Sequence, residues 1–169
     1  MAKLIYLRLF TLFLFSFSYN SFAADGFSIS ATIETPQVAI NGNADDPAIW
    51  INQEDPSLSI VFGTDKYNGI YSYNLKGEII GFSKSGRMNN VDLRSLKENT
   101  YIFATDTSNN TINLWIYKNS LLQEKSKEGK FILDVIPHYK KEVNFLAYGT
   151  GAGIYKNNDL IIFVTEAMG

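Results

Sequence analysis

Short runs of β-branched and aromatic residues, cut at close intervals by Asn and Gly pairs, leave this 169-residue chain little room for helices. The runs cover residues 27–33, 60–64, 70–73, 78–82, 101–105, 112–117 and 160–165. Between them stand Asn41-Gly42, Asn68-Gly69, Lys76-Gly77, Asn109-Asn110 and Asn157-Asn158. Asn and Gly tolerate the positive φ that tight turns need, so these pairs predict hairpin turns. Tyr71, Tyr73 and Leu75 alternate with Ser72 and Asn74, the two-residue period of a strand with one buried face. No stretch sustains a helical period, and the one helix candidate is 119–125. The charge-rich stretch 124–130 predicts a solvated loop.

The runs also repeat. Ile60-Val61-Phe62-Gly63-Thr64-Asp65 returns as Tyr101-Ile102-Phe103-Ala104-Thr105-Asp106 and again as Ile161-Ile162-Phe163-Val164-Thr165-Glu166. The first two copies lead through a turn into a second strand. Repeats of this kind predict an all-β fold made of propeller blades, with a β-sandwich as the alternative. The third copy stands at the end of the chain without a following hairpin partner, so the sequence reads as roughly the first two to three blades of a longer propeller.

Residues 1–24 predict a secretory signal. Lys3 and Arg8 are its positive part, residues 9–17 its short apolar part, and Ser21-Phe22-Ala23-Ala24 its cleavage region. The apolar run is shorter than the roughly 20 residues a spanning helix needs. The mature protein is therefore expected in the periplasm or outside the cell, with no membrane attachment, as a monomer. Losing Lys3 and Arg8 leaves thirteen cations against seventeen acids, about −4. That balance argues against nucleic-acid binding and suits hard cations. The chain has no Cys and one His, His138, which excludes thiol chemistry and a multi-histidine zinc site. His138 itself predicts a surface loop.

Three segments carry candidate chemistry. In Asn43-Ala44-Asp45-Asp46-Pro47-Ala48-Ile49-Trp50, two adjacent carboxylates repel unless a cation or donors offset them. Pro47 favours extended backbone at Asp46, which points neighbouring side chains to opposite faces. Asp45 and Asp46 could then serve two cations, or one cation and a substrate; the alternative is a turn with two solvated acids. Gly86-Arg87-Met88-Asn89-Asn90-Val91-Asp92-Leu93-Arg94 could hold a turn, a cation or a phosphate, with Arg94 as phosphate candidate and a surface ion-pair network as alternative. Lys66, in Thr64-Asp65-Lys66-Tyr67-Asn68-Gly69, is either a solvated turn tip or a phosphate donor.

Taken in order and spacing, Asp-Asp-Pro-Ala-Ile-Trp, Thr-Asp-Lys-x-x-Gly-Ile-Tyr-x-Tyr-x-Leu-x-Gly and Gly-Arg-Met-Asn-Asn-Val-Asp-Leu-Arg closely resemble the opening of β-propeller phytases. The likeness is close over 43–117 and loose over 145–169. It implies a six-bladed propeller and a Ca2+-dependent 3-phytase that removes phosphates from phytate (myo-inositol hexakisphosphate) or other inositol phosphates. Ca2+ in that family binds substrate phosphate and activates the attacking water. The resemblance implies Asp45 and Tyr148 at the catalytic calcium cluster, and Asp46 with the carbonyls of Pro47 and Val91 at a structural calcium. It implies Lys66 as a phosphate ligand.

The sequence departs from the family in three places. Asp106-Thr107-Ser108-Asn109 lacks the family's phosphate-gripping Arg. Tyr148 and Tyr155 are more widely spaced than the family's tyrosine pair, and Glu166-Ala167-Met168-Gly169 stands where a lysine-bearing loop is common. The expectation is that this segment alone is inactive. The alternatives are a calcium-stabilised, non-catalytic binding module, or a propeller hydrolase of another class such as a lactonase or esterase.

Overall fold

The computed structural model describes residues 28–38 and 42–167. The expected leader, 1–24, lies outside the described residues. The chain divides into two units after Ala31; of the first, only 28–31 are described, exposed and without strand or helix. All that follows concerns the second unit.

Among the described residues, ten strands form three antiparallel sheets. β1 (Ala44–Trp50), β2 (Ile60–Asp65), β3 (Gly69–Tyr73) and β4 (Ile79–Ser83) make one meander in chain order. β5 (Met88–Leu96), β6 (Asn99–Asp106), β7 (Thr111–Lys118) and β8 (Tyr139–Glu142) make a second. β9 (Ala147–Ile154) and β10 (Leu160–Glu166) pair as the third. The sheets adjoin through their first strands: β1 packs beside β5, and β5 beside β9. This is the all-β propeller architecture that the repeat predicts. The three copies of the repeat are β2, β6 and β10, the second strand of each sheet.

The turns follow their residues. Asn110, Asn157 and Asn158 take positive φ, as does Gly69 between β2 and β3, where a Cβ would overlap the carbonyl of Ser83. The repeated acid at the strand end has a structural task. Asp65 Oδ1 accepts from the backbone N–H of Tyr67 at 3.0 Å and of Asn43 at 3.1 Å, and Oδ2 accepts from Asn68 Nδ2 at 2.8 Å. Asp106 likewise accepts from the N–H of Ser108 at 2.9 Å and from Asn109 Nδ2 at 2.6 Å. Burial pushes the Asp65 carboxyl up, but these donors outweigh it and hold it below the ordinary carboxylate range.

The core lies between the first two sheets. Trp50, Ile60, Phe62 and Ile70 meet Val91, Leu93, Ile102 and Trp115 there. Phe131, on the segment after the helix, closes it. Its ring stands edge-on to Phe62 at 5.8 Å and to Tyr117 at 5.2 Å, and its backbone runs so close to Gly81 that a Cβ there would overlap the Phe131 carbonyl.

Four expectations are corrected. Residues 28–33 of the expected strand 27–33 form no strand; Ile29 and Ile33 are exposed and find no pairing partner among the described residues. β3 is buried on both faces, not one. Ile70 enters the core, while on the opposite face Tyr71 stacks with Tyr73 and its ring lies tilted against Phe82. The stretch 124–130 is mostly helix. α1 (Asn119–Glu128) buries Leu122 and Ser126, and Gly129 ends it in the left-handed conformation. Its charges pair locally, Lys125 with Glu128 at 2.8 Å, so they face water while the helix packs. Finally, of the two readings of 44–50, the turn with two solvated acids gives way to the extended one, and the segment is the full first strand of a sheet.

Tyr73 is buried, and its hydroxyl is pushed up to about 12 from 10.0. A hydroxyl that holds its proton more tightly when folded stabilises the fold below pH 10 and loses that contribution as pH rises towards 12. Phenolate absorbance should therefore rise in two phases. Exposed tyrosines should ionise near pH 10, and a buried fraction only as the fold is lost; a single phase near 10 would contradict this burial.

Candidate functional site

Each first strand carries a one-residue bulge at the same place. Ala44 pairs with Asp65 and Pro47 with Gly63, so three steps on β1 match two on β2. Met88 and Val91 pair with Asp106 and Ala104 in the same way, and Ala147 and Thr150 with Glu166 and Val164. A bulge kinks the strand and re-aims its side chains. The bulged pairs are Asp45-Asp46, Asn89-Asn90 and Tyr148-Gly149. Asp45, Asn89 and Tyr148 are thus equivalent positions in three successive sheets, as are Pro47 and Val91.

The repeated threonine locks each bulge. Thr64 Oγ1 accepts from the Asp46 N–H at 3.0 Å, Thr105 Oγ1 from the Asn90 N–H at 3.3 Å, and Thr165 Oγ1 from the Gly149 N–H at 3.0 Å. Two of these hydroxyls also donate to the next sheet. Thr64 reaches the Asn89 carbonyl at 2.8 Å, and Thr105 reaches the Tyr148 carbonyl through a short bond. Asn89 Nδ2 donates to the same Tyr148 carbonyl at 3.2 Å. The bonds of this ladder join residues 15 to 59 positions apart in sequence.

Three of the predicted site residues meet at this end. Lys66 Nζ lies 3.0 Å from Asp45 Oδ1 and 5.7 Å from the centre of the Tyr148 ring. The hydrogen bond to Asp45 raises the Lys66 ammonium above its ordinary value; desolvation opposes this, and the Asp45 charge and Tyr148 add to it. Lys66 is therefore a fixed cation, not a free turn tip. A cleft of about 360 Å3 opens beside it, lined also by Tyr67, Arg87, Asn89, Thr107 and Tyr148.

Asp46 has a different partner from Asp45. Its Oδ2 accepts from the Val91 N–H at 3.1 Å, bridging β1 to β5. The three ligands that the resemblance implies for a structural calcium, Asp46 and the carbonyls of Pro47 and Val91, thus come from adjoining chain segments. They are all oxygen donors, which suits Ca2+ in kind. Their number is small against the six to eight oxygens that calcium takes. Among the described residues no three His, Cys, Asp or Glu side chains cluster as a metal site.

Arg94 is not brought to this group. It sits five residues beyond Asn89 on β5, about 16 Å along the strand. There its Nη1 pairs with Asp92 Oδ1 at 2.6 Å, and Asp92 Oδ2 accepts from the Ala152 N–H at 2.9 Å. That is the ion-pair alternative. His138 lies elsewhere again, partly exposed, accepting from the Ile116 N–H at 2.8 Å and facing Asp134 at 3.3 Å. Asn89 and Arg87 are the site residues that the sequence did not single out. The signal for Asn89 was the repeat itself, since aligning the Thr-acid strand ends places Asn89 opposite Asp45 and Tyr148.

Comparison with known proteins gives a consistent picture. The sequence model of a family described as "Phytase" matches residues 3–129. A 3-phytase of Bacillus subtilis (strain 168) is 41% identical over 69 residues, which are 40% of this chain and 18% of that protein's length. Tyr148 lies beyond the family match, so its place in the site rests on the bulge geometry.

The two aspartates should behave differently even without metal. Asp46→Ala leaves the Val91 N–H without its acceptor and should cost about 1–3 kcal/mol. Asp45→Ala removes a partly exposed ion pair and should cost about 0–1 kcal/mol. Urea unfolding in calcium-free buffer measures both. Equal, small losses would mean that Asp46 is merely solvated.

Proposed function

This chain belongs to the phytase family, and we propose that it takes part in calcium-dependent hydrolysis of the phosphate monoesters of phytate. The observation that carries this reading is that Lys66 and Tyr148 line one cleft, with Asp45 paired to Lys66 and the Asp46–Val91 bridge nearby. In this proposal Asp46 and the carbonyls of Pro47 and Val91 hold a structural calcium, and Asp45 and Tyr148 contribute to a catalytic one. When bound, calcium supplies charge neutralisation and an acidified water.

The remaining work falls to the chain's own side chains. The Lys66 ammonium receives a phosphate oxygen as a point charge. Asp45 and the Tyr148 ring fix where that charge sits, so little ordering is needed when substrate arrives. We propose further that the protein is exported by the leader at 1–24, that it acts as a monomer on a small-molecule substrate, and that the whole enzyme uses acids beyond those described here.

A second reading, a calcium-stabilised binding module without turnover, is favoured by one feature. The β6–β7 turn, Asp106-Thr107-Ser108-Asn109, offers no arginine.

Phosphate release from phytate, measured on the full-length protein with added calcium and again in excess chelator, decides between them. The enzyme reading expects release that stops on chelation. It also expects Asp45→Ala to lower turnover about 10- to 100-fold or more, and Asp46→Ala mainly to reduce the rise in Tm caused by calcium. Release undiminished by chelator rejects the mechanism, and phytate binding without any release selects the binding module.

A further inference from the structure

Resting on the reading above, we propose that Arg87 is a second phosphate-binding residue of the cleft, and that with Lys66 it forms a two-cation seat for a doubly charged phosphomonoester group. Both cations line the same 360 Å3 cleft. They differ in how far their charge is already answered. Lys66 is paired with Asp45 at 3.0 Å. Arg87 has no carboxylate partner among the described residues, and its guanidinium lies 5.6 Å from the centre of the Tyr67 ring, which also lines the cleft. The nearby Asp106 carboxylate is committed to Ser108 and Asn109 in its own turn. Arg87 is thus the cleft's uncompensated positive charge.

Its backbone is held as a positioning device would be. The Met88 N–H donates to the Gly86 carbonyl at 3.1 Å, a tight turn around Arg87, made possible by Gly86 at φ +120°. The Arg87 carbonyl accepts from both the N–H of Thr107 at 3.0 Å and its Oγ1 at 3.2 Å. These bonds tie Arg87 to the β6–β7 turn, which itself carries no cation. A guanidinium offers a planar fork that meets two phosphate oxygens at once, whereas an ammonium offers a point charge. Lys66 would anchor the group and Arg87 would orient it.

Titration of inorganic phosphate into the calcium-free chain, followed by phosphorus NMR, tests this without turnover. The unsubstituted chain should bind phosphate in the millimolar range. Arg87→Gln should weaken binding about 10- to 100-fold, the loss of a hydrogen-bonded pair to a charged group. Arg87→Lys keeps the charge but loses the fork, so it should fall between the two; it also carries the test if Arg87→Gln fails to fold by circular dichroism. Unchanged affinity in the Arg87 variants, or no phosphate binding by the parent chain, overturns the inference. If Lys66→Gln weakens binding and the Arg87 variants do not, only the role of Arg87 fails. Calcium-dependent phytate turnover by the parent protein judges the phytase reading separately.

Discussion

A threonine hydroxyl at the end of each second strand is the contact on which the site depends. It accepts the N–H that a bulge in the first strand leaves unpaired, and in two of three cases it donates onward to the carbonyl of the next bulge. A buried backbone group without a partner costs as much as a lost hydrogen bond. Each bulge therefore needs its threonine, and each sheet is set against its neighbour by the same atom. Thr64 and Thr105 are fully buried, so water cannot take over either role.

The geometry of the cleft follows from that ladder. Bulges aim Asp45, Asn89 and Tyr148 towards a common end, where flat strands would have alternated them across the sheet. The β2–β3 turn then delivers Lys66 to Asp45, and the Asp65 carboxylate fixes that turn through three donors. Acids at the strand ends thus serve two purposes. Asp65 and Asp106 hold turns, whereas Asp45 and Asp46 lie on a bulge and face a cation and a neighbouring strand.

Location separates two ion pairs that look alike in sequence. Asp45 with Lys66 and Asp92 with Arg94 are both partly exposed ion pairs. The first opens on a cleft and adjoins an aromatic ring from a third strand. The second lies along β5, with Asp92 already bound to the β9 backbone. Location, not charge, gives the first pair its candidate role.

The sequence by itself determined six of the ten strands (β2, β3, β4, β6, β7 and β10), four of the turns and the class of fold, because these rest on local properties: positive φ at Asn and Gly, branched and aromatic runs, and the repeated Thr-acid ending. It also marked Asp45, Asp46 and Lys66, since adjacent acids and a turn lysine are conspicuous along the chain. Only the tertiary structure decided which faces of β3 are covered, that 124–128 packs as helix, and that Arg94 stands apart while Arg87 joins Lys66. Those outcomes turn on register and on which sheet lies next to which. A one-residue bulge shifts every later side chain to the opposite face, and the pairings that reveal it connect residues tens of positions apart.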